Sequence, residues 1–141
     1  MYSGDYRISL DDRGRMRIPS KLRERLGKDL VMSAGTDGCA FLMNENDLEE
    51  LIGPVTRSVK LSEHDKMNML RKFYASVYTL TEDNQGRFVL PAKLKSYMKA
   101  NKGLVFVGTI NRIEVWAEEI YDERFETSVE DINSVVDMLG I

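Results

Sequence analysis

Hydrophobic and polar residues alternate over short stretches of the chain, a pattern typical of strands. At positions 15–18, two arginines alternate with Met16 and Ile18. A period of two places both apolar side chains on the core side of a strand and directs Arg15 and Arg17 away from it. The sequence therefore predicts a strand with one buried face and one strongly basic face.

A short helix is predicted next, because apolar residues now recur four positions apart. Leu22 and Leu26 form its apolar stripe, Pro19 suits its first turn, and Gly27 suits its end. The remaining elements predicted in this half are strands at 6–10, 30–33 and 39–43, with a turn through Asp37 and Gly38 between the last two.

The same succession of elements recurs in the second half, because the chain contains its own motif twice. Residues 8–23 align with residues 80–95 at a shift of 72 positions. The identical pairs are Asp11 with Asp83, Gly14 with Gly86, Arg15 with Arg87, Pro19 with Pro91, Lys21 with Lys93 and Leu22 with Leu94. Phe88 and Leu90 take the inward positions in the second copy. The repeat predicts a mainly β, α+β fold with pseudo-twofold symmetry, in which neither half needs to bury its core alone.

The second copy is predicted to close with strands at 104–107 and 113–116. Their turn lies near Asn111 and Arg112, since asparagine tolerates a positive φ. Between the copies, the pattern Ser62-Glu63-His64-Asp65 predicts a capping box that opens a helix. We therefore divide the chain into a first repeat (5–50), a linker helix (51–76), a second repeat (77–121) and an acidic helical tail (122–141).

Charge is distributed unevenly along the chain, although the net charge is only −3. Residues 1–28 hold eight basic and four acidic groups, a net of +4, whereas residues 114–141 hold nine acidic groups and one basic group, a net of −8. This asymmetry indicates one surface that attracts anions and one that repels them. An acidic solvated tail beside an ordinary basic surface would give the same numbers.

The chain offers little that resembles catalytic or metal chemistry. Cys39 lies in an apolar segment, which favours a buried, inert thiol, and the only histidine, His64, lies between two acidic residues as expected for a helix surface. Two such residues are too few for a zinc site, and a single cysteine forms no internal disulfide. We expect no metal, no cofactor, no small-molecule ligand and no enzymatic activity, and no segment reaches the roughly 18 apolar residues of a membrane span.

The differences between the two copies indicate which residues serve function. Asp11 with Gly14, and Asp83 with Gly86 and Arg87, are shared and are expected to fix the turns through ion pairs and a positive φ. In contrast, Arg13 and Arg17 are replaced in the second copy by Gln85 and Val89. A two-stranded ribbon carrying Arg13, Arg15 and Arg17 could contact phosphates and guanine edges in the major groove, although a merely solvated basic face is also compatible with the pattern.

The motif Asp-x-x-Gly-Arg-x-x-Ile-Pro at 11–19, repeated at 83–91 with Leu90 in place of isoleucine, resembles the SpoVT/AbrB family of swapped-hairpin regulators. Two copies in one chain resemble the MraZ family. The segments Gly4-Asp5-Tyr6, Thr36-Asp37-Gly38-Cys39 and Asn111-Arg112-Ile113-Glu114-Val115-Trp116 add to the resemblance, which extends from residue 2 to about residue 121.

The resemblance implies a double-split β-barrel and a ring-shaped homo-oligomer. It implies a repressor, located in the bacterial cytoplasm and nucleoid, that binds short G-rich direct repeats ahead of its own division and cell-wall operon. The family's DNA-contacting residues fall on Arg13 and Arg15, with arginine at position 13 where lysine is commoner. Arg17 is also basic, but the resemblance does not imply that family members contact DNA at this position.

Two other interpretations compete with a DNA-binding repressor. An antitoxin-like module of the same superfamily would bind a protein partner, but such chains usually carry one motif and a disordered tail. An enzyme could use Asp11 and Asp12 as paired carboxylates. No nucleophile or phosphate-binding glycine loop accompanies them, and Asp12 aligns with Asn84.

Overall fold

A computed structural model describes all 141 residues, which form an α+β fold with eight strands and six helices. The strands are β1 (Asp5–Ser9), β2 (Arg15–Met16), β3 (Leu30–Ala34), β4 (Ala40–Asn44), β5 (Tyr78–Thr79), β6 (Phe88–Val89), β7 (Gly103–Gly108) and β8 (Ile113–Ala117). The helices are α1 (Ser20–Leu26), α2 (Glu45–Ser58), α3 (His64–Tyr74), α4 (Ala92–Met98), α5 (Glu118–Arg124) and α6 (Val129–Leu139). No helix combines the length and apolar character needed to cross a membrane.

The strands exchange between the two copies of the motif. Six strands form an antiparallel sheet in the order β1-β7-β8-β4-β3-β5, and β2 pairs with β6 in a separate ribbon. In that sheet, β1 of the first copy pairs with β7 of the second, and β5 of the second pairs with β3 of the first. The strand order is therefore symmetric about the central β8–β4 pair, as the sequence repeat requires.

The pseudo-twofold axis passes through the ribbon, where Met16 lies directly opposite its own repeat equivalent, Phe88. Both side chains are buried, and so are Ile18 and Leu90. All four belong to one core cluster of 19 buried residues drawn from both copies. The predicted inward positions and their shared core are confirmed.

Local sequence signals account for several helix ends. Helix α1 follows Pro19 and ends at Gly27, whose positive φ of 72° is adopted by glycine at low cost. Helix α2 begins after Asn44, whose side chain accepts a hydrogen bond of 2.8 Å from the backbone N–H of Asp47. Both predicted ends of α1 are confirmed.

The single linker helix predicted for 51–76 is divided in the structure. Helix α2 begins at Glu45 and ends at Ser58, and α3 begins only at His64. The predicted capping box at 62–65 is wrong, because Glu63 precedes α3 and makes no capping hydrogen bond with its side chain. The Glu63 carboxylate instead accepts a hydrogen bond of 3.0 Å from the backbone N–H of Lys60, which closes the turn between the two helices.

The turn between β7 and β8 also differs from its prediction. The positive φ lies at Ile110, at 68°, and Asn111 is not among the residues with a positive φ. Two backbone hydrogen bonds of 2.8 Å join Ile110 to Tyr2 near the N-terminus. We attribute the left-handed conformation at a β-branched residue to this tertiary pairing, which local turn preferences do not include.

Candidate nucleic-acid interface

The turn that precedes β2 is closed by one carboxylate. Asp11 Oδ1 accepts hydrogen bonds of 2.9 Å from the backbone N–H groups of Arg13 and Arg15, and Asp11 Oδ2 accepts one of 2.7 Å from Arg15 Nε. Gly14 has a φ of 71° and donates its N–H to the Asp11 carbonyl. The side chain of Asp11 therefore replaces water at three donors and fixes the turn.

The turn before β6 repeats this geometry. Asp83 Oδ1 accepts from the N–H groups of Gln85 and Arg87, and its Oδ2 accepts from Arg87 Nε, each at 2.9 Å. Gly86 has a φ of 76°. The residues shared by the two copies therefore build the same turn in each copy.

The two turns meet across the pseudo-twofold axis and form a four-residue ion-pair cluster. Arg15 Nη1 lies 3.8 Å from Asp83 Oδ2, and Arg87 Nη1 lies 3.9 Å from Asp11 Oδ2. The guanidinium side chains are 22% exposed and the carboxylates 33% exposed. Each arginine therefore bridges its own turn and the turn of the other copy.

The hydrogen bonds within the turns favour the ionised carboxylates. The backbone N–H of Arg15 contributes most to lowering the pKa of Asp11, the Arg15 guanidinium adds to it, and partial burial opposes both. The pKa of Asp83 is likewise lowered, chiefly by the backbone N–H of Arg87. The cluster consequently carries two positive and two negative charges at neutral pH.

Of the three arginines predicted to contact DNA, two project from the ribbon. Arg13 lies at the tip of the first turn, is exposed, and its side chain makes no hydrogen bond or ion pair within the chain. Arg17 is also exposed and donates one hydrogen bond from Nη1 to the backbone carbonyl of Gln85. That contact links the first-copy strand to the second-copy turn without neutralising the charge of Arg17.

The third arginine is placed differently from its prediction. The sequence pattern directed Arg15 outward beside Arg17, but Arg15 lies in the ion-pair cluster and is only partly exposed. The alternation itself holds, since Met16 and Ile18 are buried and Arg15 is not, but the carboxylate of Asp11 draws the guanidinium of Arg15 onto the turn. Arg15 donates to Asp11 from Nε, so its two terminal nitrogens have only the longer ion pair with Asp83.

Two other arginines of the N-terminal segment, Arg7 and Arg23, have acidic partners. Arg7 Nη2 lies 2.5 Å from Asp122 and its Nη1 lies 3.7 Å from Glu118, so α5 covers its charge. Arg23 forms an ion pair of 3.2 Å with Glu82. These pairs remove two arginines from the unpaired basic groups of this segment, whereas Arg13 at the tip of the turn remains exposed and without an ion pair.

Sequence reasoning missed the pairings that join distant segments. Arg7 and Asp122 are 115 positions apart, and neither charge alone indicates its partner. The ion-pair cluster did leave a signal, because Asp and Arg recur at equal spacing in both copies. Placing the two turns on a twofold axis would have brought Arg15 to Asp83.

The single cysteine and the single histidine, whose side chains are potentially reactive, lie in the surroundings that the sequence predicted. Cys39 is fully buried, and this burial raises the pKa of its thiol to about 12, which keeps it protonated at neutral pH. His64 is exposed on α3, as predicted. No group of three or more His, Cys, Asp or Glu is arranged to hold a metal ion.

Comparison with known proteins agrees with the symmetric organisation. The family model of the MraZ protein, described as antitoxin-like, matches residues 1–71 and 73–136. A relative from Syntrophomonas wolfei is 35% identical over all of both chains, and one from Natranaerobius thermophilus is 36% identical over 94% of each. A third, from Clostridium acetobutylicum, is 32% identical over 99% of this chain and 97% of its own. All three carry the name transcriptional regulator MraZ.

The fold and the site define a protein of two related halves with exchanged strands, in which the first of two equivalent turns carries an exposed arginine, Arg13. The chain belongs to the MraZ family, over nearly its whole length. These three relatives are named as transcriptional regulators and not as enzymes. These names argue against the enzyme interpretation based on Asp11 and Asp12. In addition, the Asp11 carboxylate already accepts hydrogen bonds from the backbone of its own turn.

Proposed function

We propose that this chain is a sequence-specific DNA-binding regulator that represses its own division and cell-wall operon. It recognises short G-rich direct repeats in double-stranded DNA through the turn and ribbon that carry Arg13, Arg15 and Arg17. The observation that supports this most is the exposed, unpaired Arg13 at the tip of a turn fixed by Asp11. The turn fixes the backbone at position 13, so only the side chain has to be ordered on binding, and its free guanidinium can make a bidentate contact to guanine.

The three arginines have different parts in this proposal. Arg13 contacts base edges, and Arg17, anchored at one nitrogen to Gln85, contacts the phosphate backbone. Arg15 orients the turn and offers its terminal nitrogens to the DNA from within the ion-pair cluster. A two-stranded ribbon is narrow enough to enter the major groove, so all three can act on one site.

The finer architecture belongs to the same proposal. The exchanged strands and the separate β2–β6 ribbon support a double-split β-barrel made of two AbrB-like halves. We further propose a ring-shaped homo-oligomer that presents several ribbons to one promoter, in the bacterial cytoplasm and at the nucleoid. No small-molecule ligand and no membrane enters this mechanism.

Capture of genomic DNA fragments by the purified full-length chain tests the proposal. Enrichment of the promoter of its own operon, abolished by Arg13→Ala and retained by Gln85→Ala, is the expected result. Gln85 is the matched control because it occupies the equivalent tip of the second turn. Absence of any enriched fragment, with the chain folded, would overturn DNA recognition and favour the antitoxin-like alternative, in which a protein partner is bound.

A further inference from the structure

Helix α6 is folded, but no other element packs extensively against it within its own chain. Its side chains are exposed, apart from a half-buried Val136, and its hydrogen bonds stay within the segment 128–140. A capping box between Ser128 and Asp131 opens it and Gly140 ends it. An 11-residue helix with so little tertiary packing is marginal in water, so its amphipathic sequence indicates a partner.

The uncovered face of α6 is a continuous apolar stripe. Val129, Ile132, Val136 and Leu139 recur at spacings of three, four and three, which aligns them along one side of a helix. Ile132 is 51% exposed and Leu139 66% exposed. Contiguous exposure of this kind is typical of a protein interface, whereas single exposed apolar residues are not.

Charge restricts what can cover this stripe. Glu130, Asp131 and Asp137 flank it and α6 contains no basic residue, so two copies of α6 would repel each other. Helix α2 has exposed apolar residues but also carries Glu45, Asp47, Glu49 and Glu50 against a single arginine, which excludes it on the same ground.

Helix α3 offers the complementary surface. It is as long as α6, at 11 residues, and its outer side carries Met69, which is 68% exposed, between Lys66 and Lys72 one turn to either side. Lys66 pairs with Glu63 at 2.9 Å, and the structure gives Lys72 no partner. Leu61, just before α3, is 80% exposed and extends the apolar part of this surface.

We infer that α6 docks on the outer face of α3 of a second copy of this chain. Within one chain both surfaces remain uncovered, so a neighbouring copy must supply the contact. Such pairing is directional, from the tail of one copy to the linker of the next, and it allows a closed assembly. The inference rests on the proposed homo-oligomer and is independent of DNA contact.

The first test measures the mass of the full-length chain by light scattering. We expect an oligomer for the unaltered chain and a monomer for the double variant Ile132→Glu with Leu139→Glu. The matched control, Ser134→Glu with Met138→Glu, adds the same charge to the opposite side of α6 and should remain oligomeric. A chain that is monomeric without substitution overturns the assembly itself. An oligomer that persists in the Ile132/Leu139 variant overturns only the α6 contact.

The second test identifies the surface on which α6 docks. Two differently tagged chains, one with Met69→Cys and one with Val136→Cys, are mixed and oxidised. We expect a disulfide between the two tags and none within either chain alone. Cross-linking of Val136→Cys with itself would overturn the choice of α3 in favour of helix self-pairing, and no cross-link in an intact oligomer would place the interface elsewhere.

Discussion

The guanidinium of Arg15 lies 3.8 Å from the carboxylate of Asp83, a residue of the other copy of the motif, while its closer partner is Asp11 of its own turn. The reciprocal contact joins Arg87 to Asp11 at 3.9 Å. These contacts tie the position of the first turn to that of the second. The exposed Arg13 and Arg17 therefore project from a ribbon that residues of both copies stabilise.

Replacing Arg13 should reduce DNA affinity and leave stability unchanged, because the side chain makes no contact within the chain. If Arg13 contacts a base, Arg13→Ala should cost about 1–3 kcal/mol of binding free energy and relax specificity at one position. If it contacts a phosphate, all sequences should weaken alike and the salt slope should fall by about one unit. Titrations at several salt concentrations distinguish the two, and an affinity equal to that of the unaltered chain would remove Arg13 from the interface.

The two clustered arginines should prove equivalent for folding and unequal for DNA binding. Arg15→Ala and Arg87→Ala each leave a carboxylate without its guanidinium, so both should lower the melting temperature by similar amounts. Only Arg15→Ala should also weaken DNA binding markedly at a temperature where both variants are folded, because Arg15 lies on the arginine-bearing turn. Calorimetry combined with a mobility-shift assay measures both effects. A stronger binding defect in the Arg87 variant would mean that the second turn is the one that faces DNA.

Acid should weaken the fold through the same two turns. The folded-state pKa values of Asp11 and Asp83 are lowered, so each carboxylate stabilises the fold fully above its ordinary pKa of about 4. This stabilisation is lost as the pH falls from there through the lowered values. Urea unfolding between neutral pH and the acid range should show the decline, and Asp11→Asn with Asp83→Asn should flatten it. A residual slope should remain from Asp122, whose pKa is lowered by Arg7, and from Glu63, whose pKa is lowered chiefly by the backbone N–H of Lys60.

The sequence repeat predicted the symmetric part of the fold and the buried members of the ribbon. It could do so because the inward positions are encoded locally, by alternation around Met16 and Phe88. Contacts between copies were not predictable in this way, since the Arg15–Asp83 pair depends on how the two turns meet in space.

The residues at which helices begin show the same limit of local sequence patterns. Ser62 and Ser128 both precede an aspartate by three positions, but only Ser128 forms a capping box, because Glu63 turns back to Lys60.

Truncating a core residue of either copy should destabilise the whole protein. Ile18 and Leu90 belong to one cluster, so Ile18→Ala and Leu90→Ala should each cost roughly 2–5 kcal/mol of unfolding free energy, in a single transition. Val89→Ala is the control, since Val89 is 59% exposed on the same ribbon and its truncation should cost less than about 0.5 kcal/mol. Separately expressed halves, 1–60 and 61–141, should lack a cooperative transition because β1 and β5 each pair within the other half. Two halves that each melt sharply would contradict the shared core.

The operator should consist of several short direct repeats at regular spacing. One chain presents one strongly basic turn, because the second carries Gln85 and Val89 where the first has Arg13 and Arg17. A few arginines on a chain of net charge −3 bind weakly at physiological salt, and an oligomer gains affinity by placing further turns at high effective concentration. Reducing the array to one repeat should therefore weaken binding far more than changing one base within it. Binding assays on DNA with one, two and three repeats test this, and a single repeat bound as tightly as the full array would show that one ribbon is sufficient for recognition.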